Sequence, residues 1–105
     1  MLRSEVQSWF FKQIMACYQD MAINFESHTL GTLIQSSKAR EIRLCDQETG
    51  YCDHLVVVPA CPLLIHVVER NGLVKSVKAM DRTEVSSSAL FQNLSDDDLR
   101  IVSGH

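Results

Sequence analysis

Between residues 4 and 23 the apolar positions Val6, Phe10, Ile14, Cys17 and Met21 recur at spacings of three and four, and Trp9 and Tyr18 widen the stripe. A recurrence near 3.6 residues sets these side chains along one face, which predicts an amphipathic α-helix. Ser4 followed three residues later by Gln7 fits a capping box and predicts the helix start. The next stretch, 25–40, reads as a short helix through Leu30, Leu33 and Ile34, weakened by Gly31 and the pair Ser36-Ser37. From Glu41 the period changes to two, because Ile42 and Leu44 alternate with Arg43 and Cys45. Gln47 to Gly50 supplies a turn before a second strand, 51–58, whose run Leu55-Val56-Val57-Val58 is apolar on both faces and so central in its sheet.

Pro59 and Pro62 end that strand, since neither donates to a ladder. A third strand, 63–69, leads into Asn71-Gly72, the strongest short hairpin signal because both residues tolerate positive φ. The fourth strand is 73–80, and a regular two-residue loop would set Val68 opposite Lys75, His66 opposite Val77, Ile65 opposite Lys78 and Leu64 opposite Ala79. Neither face of this hairpin is purely polar, so the sheet is expected to be covered on both sides. Ala89-Leu90-Phe91 and Leu94 read as one or two helical turns. Ser95 with Asp96, Asp97 and Asp98 then places a cap and three carboxylates in the first turn of a last short helix. The order predicts an α+β fold: an N-terminal amphipathic helix, a small, mainly antiparallel sheet of about four strands, and short C-terminal helices.

With 105 residues the chain is expected to form one domain spanning 1–105, and 46% apolar with 22% charged residues is the composition of a folding chain. A net charge of −3 with scattered Lys and Arg offers no footprint for nucleic acid. No stretch reads as an export signal or a membrane span. Four cysteines, Cys17, Cys45, Cys52 and Cys61, are expected as reduced, metal-free thiols, and with them a cytoplasmic location.

Cys45, Cys52, His54 and Cys61 form the best cluster for chemistry, three thiols and an imidazole within seventeen residues. Cys52 and His54 would share a strand face with Cys45 across the turn, yet the spacings match no zinc knuckle, and buried thiols are the expectation. A nucleophile and base could be Cys52 with His54, or Cys61 with His66, oriented by Asp53 or Asp46; Asp53 would point away from the face shared by Cys52 and His54, which tells against a local triad, and Cys61 between two prolines reads as a loop residue. His66 reads as a half-buried strand histidine, and Asp96 to Asp98 as a helix cap rather than a cation site. The tail LSDDDLRIVSGH, residues 94–105, resembles the end of bacterial leader peptides of the double-glycine type, with His105 where the second glycine would stand. That resemblance implies a leader or precursor role; the same residues read as a capped amphipathic helix with a glycine stop.

Three successive aromatics, Trp9, Phe10 and Phe11, span nearly the whole circumference of a helix, so one sheet cannot bury all three. Together with Tyr18 they are the expected partner-binding residues. The reading is a regulatory or adaptor protein, not an enzyme, that uses no cofactor, forms a homodimer and binds a further protein. Other classes are a small-ligand or effector-binding domain, a Cys/His metal or thiol enzyme, and a leader-type precursor.

Overall fold

The computed structural model describes residues 3–24, 27–87 and 92–103. Helix α1 (Arg3–Asn24) is followed by α2 (Ser27–Ser37), strands β1 (Arg40–Cys45), β2 (Tyr51–Val57), β3 (Leu63–Arg70) and β4 (Leu73–Asp81), a 3-10 helix (Arg82–Ser87), and α3 (Asp96–Ser103). The strands form one antiparallel meander in the order β1-β2-β3-β4. This is an α+β architecture, and the four strands fall within one residue of the expected ranges. The expected turn at Ala89 to Phe91 and the Ser4 capping side chain lie outside what is described.

Local chemistry sets the ends of these elements. Helix α2 stops in a Schellman motif, with Lys38 at φ 56°, Ala39 N donating to Ile34 O at 3.1 Å and Lys38 N to Gln35 O at 3.2 Å. Asn71 at φ 52° and Gly72 at φ 84° make the β3-β4 turn, as the Asn-Gly pair requires. Ser95 caps α3 by accepting from Asp98 N at 3.2 Å.

Both faces of the sheet are covered, each by its own core. On one face Phe11, Ile14 and Tyr18 of α1 and Leu30 of α2 meet Val56, Val58, Cys61, Ile65 and Val67. On the other, Val102 of α3 meets Ile42, Leu55, Val57 and Leu64.

The β3-β4 register departs from the regular hairpin. The pairs Arg70 with Leu73 and Glu69 with Val74 obey it, but beyond them Val68 meets Ser76, Val67 meets Val77 and His66 meets Lys78. A bulge at this point leaves Lys75 as an extra residue in β4, so each later pairing is one position on. The physical reason is burial: Val74 and Val77, three apart, both pack against the α1 core, which a strict period of two forbids.

Arg82, just after β4, ties α3 down. Its Nε donates to Val102 O at 2.9 Å, Nη2 to Ile101 O at 2.7 Å and Nη1 to Cys61 O at 3.0 Å. A cation thus meets the last carbonyls of α3, where the helix leaves them without partners and the dipole is negative.

Candidate functional site

The phase of α1 decides which aromatics remain available. Phe11, Ile14 and Tyr18 recur at spacings of three and four and are 5%, 0% and 2% exposed, with Met15 and Cys17 packed beside them. Trp9 lies about 200° round the helix from Phe11, and it is 52% exposed. Phe10 is half-buried and meets the Trp9 ring edge-on, with centroids 5.0 Å apart and planes at 74°. The expectation that Phe11 and Tyr18 face a partner is therefore corrected: both belong to the core under α1, because the buried stripe is rotated by one residue from Phe10 toward Phe11. Trp9 is left at the surface with Phe10 as its support.

A cleft of about 360 Å³ runs beside Trp9, bounded by Glu5, Ser8 and Lys12 of α1 and by Ala60 and Pro62 of the β2-β3 loop. That loop is held in shape by Pro59 and Pro62 and by Ala60 at φ 62°. The cleft is open to solvent, and its walls carry one anion, one cation and the Ser8 hydroxyl beside the apolar Trp9, Ala60 and Pro62.

No family model, curated protein or solved structure matches this chain. No described helix is long and apolar enough to cross a membrane.

The thiol and imidazole cluster is arranged otherwise than expected. Cys45 and Cys52 are paired residues at the end of the β1-β2 ladder, 4.1 Å apart at Cα, and they form a disulfide. The expectation of four reduced thiols is corrected accordingly, since antiparallel register brings these two side chains together across the turn. The ground for expecting a cytoplasmic location goes with it. Cys61 lies in the α1 core, away from the ladder end, so the four candidate ligands are not gathered. Among the described residues no three His, Cys, Asp or Glu side chains group as metal ligands. Cys17 and Cys61 are the free thiols.

The two histidines occupy opposite faces. His54 pairs with Val67 on the α1 side, is buried, and accepts a hydrogen bond at Nδ1 from Arg43 Nε at 3.3 Å. Its Nε2 lies 3.0 Å from Glu69 Oε2 but off the hydrogen-bond direction. His66 is on the α3 side, with Nε2 2.8 Å from Asp53 Oδ1. Neither cysteine paired with them in the sequence serves as a nucleophile: Cys52 is bonded to Cys45, and Cys61 is buried on the other side from His66.

Tyr18 completes the polar edge of the α1 core, its hydroxyl donating to the Glu41 carboxylate. Burial, then that hydrogen bond, then the charges of Glu41 and Glu69 push its pKa up, against a smaller opposing pull from Arg43. The folded state holds this proton more tightly than the unfolded chain, so the stabilisation is intact below the ordinary tyrosine value near pH 10 and is lost as pH rises beyond it. Urea unfolding from neutral to strongly alkaline pH should show wild-type stability falling above about pH 10, and the fall should be smaller in Tyr18→Phe. Identical alkaline slopes for the two proteins would remove Tyr18 from this role.

Proposed function

We propose that this protein is a small regulatory or adaptor protein that acts by binding protein, that it pairs with a second copy of itself, and that the outer face of α1 around Trp9 is the contact. The observation that carries this reading is Trp9, a large aromatic side chain left half in water beside an open cleft. Tryptophan is among the commonest anchors of protein interfaces, because it buries a large area with little conformational entropy to lose.

A second copy suits this face because the face is self-complementary. Glu5 and Lys12 are seven residues apart, about two helical turns, so they lie on the same side of α1 with Ser8 and Trp9 midway between them. Two α1 helices set antiparallel about a two-fold axis near Trp9 place Glu5 of each copy against Lys12 of the other. The paired form is the one proposed to bind a further protein.

Reversing one charge tests this arrangement. Lys12→Glu sets like charges opposite each other twice, and the dimer dissociation constant should rise about tenfold at low salt. Adding Glu5→Lys to the same chain restores opposite charges and should recover the wild-type value. A dissociation constant indifferent to both changes contradicts the antiparallel pairing.

A further inference from the structure

We propose that the Cys45–Cys52 disulfide is a thiol-exchange site, opened and resealed by a small external thiol of the glutathione class that attacks at Cys45. Three observations carry it. First, the two residues differ in exposure, with Cys45 exposed and Cys52 half-buried. Exchange requires a nucleophile to approach one sulfur along the bond, so the exposed one takes the attack.

Second, the disulfide belongs to neither core. The apolar clusters include Cys17 and Cys61 but not Cys45 or Cys52, so opening the bond exposes no core surface. The turn that it closes has its own bonds: Gly50 N donates to Asp46 O at 3.0 Å, Asp46 N to Tyr51 O at 2.8 Å, and Asn71 N to Gly50 O at 3.1 Å. The hairpin therefore persists in the reduced state. Third, the other thiols compete poorly. Cys61 is 3% exposed, and burial together with Asp20 raises the Cys17 pKa, which leaves less thiolate.

The step balances with two equivalents of thiol. The external thiolate bonds to Cys45 Sγ, the Sγ–Sγ bond breaks, and Cys52 leaves with the electron pair and takes a proton from water. A second thiol attacks the external sulfur of the mixed disulfide, releasing Cys45 as its thiol and the small molecule as its own disulfide. The protein gains two electrons and two protons, and two small thiols are oxidised.

The full chain, equilibrated in reduced and oxidised glutathione at varied ratios, acid-quenched and mass-tagged, reads the state of each cysteine. Cys45 and Cys52 should become reactive together and be resealed by oxidised glutathione, with an unchanged circular dichroism spectrum. The melting temperature of the reduced form should lie about 10 °C lower, as expected for release of a short loop. Cys52→Ser should capture one glutathione at Cys45, and Cys45→Ser should capture it at Cys52 at least about tenfold more slowly. Four free thiols in the untreated protein overturn the proposal. So does reduction only after unfolding, or equal capture by the two variants.

Discussion

Replacing Arg82 by leucine is expected to cost on the order of 4 kcal/mol of folding stability. The guanidinium donates to Ile101, Val102 and Cys61 carbonyls at 2.7 to 3.0 Å, and a charged hydrogen bond of this kind is worth about 1.5 to 3 kcal/mol, with incomplete additivity. Leucine keeps bulk but leaves three half-buried carbonyls without donors. Because α3 contributes Val102 to the core on its side of the sheet, losing the tether also releases that helix. Arg82→Lys should recover less than half of the loss, since one ammonium group cannot reach three carbonyls as a planar fork does. Urea unfolding measures the cost, and amide exchange at Leu99 to Val102 reports the release of α3. A loss below about 1 kcal/mol would show that α3 is held by packing alone.

The second large effect separates the two faces of α1. Ile14→Ala is expected to destabilise the fold by about 3 kcal/mol, because Ile14 is fully buried between α1 and the sheet and its removal leaves a cavity. Trp9→Ala should change stability by less than about 0.5 kcal/mol, because the ring is 52% exposed and outside both cores. Equal losses in the two variants would mean that Trp9 packs against the fold.

Much of this architecture was legible as local pattern. The first strand followed from period-two alternation, and the others from apolar runs bounded by prolines and turn residues. The β3-β4 turn followed from Asn71-Gly72, and α3 from Ser95 and the carboxylates after it. These signals are local because each rests on neighbours within a few residues. The bulge at Lys75 was not legible, since it serves Val74 and Val77, whose need to face α1 arises only when helix and sheet pack. Arg82 gave no signal either: its partners lie 19 to 21 residues away.

The candidate site was half legible. The run Trp9-Phe10-Phe11 implied that one ring must stay outside the core, but its apolar neighbours Val6, Ile14 and Tyr18 left the helix phase open by one residue. Packing assigned Phe11 and Tyr18 inward. The disulfide had a usable signal, since a turn across residues 46–51 makes Cys45 and Cys52 direct neighbours.

The central claim, that the Trp9 face joins two copies of the chain, is tested most directly by light scattering of wild-type and Trp9→Ala protein across the micromolar range. The wild type should give twice the 11.9 kDa chain mass, and Trp9→Ala, still folded, should dissociate at concentrations roughly 10- to 100-fold higher. A wild-type mass of 11.9 kDa throughout, or a Trp9→Ala protein that pairs as tightly as the wild type, contradicts it.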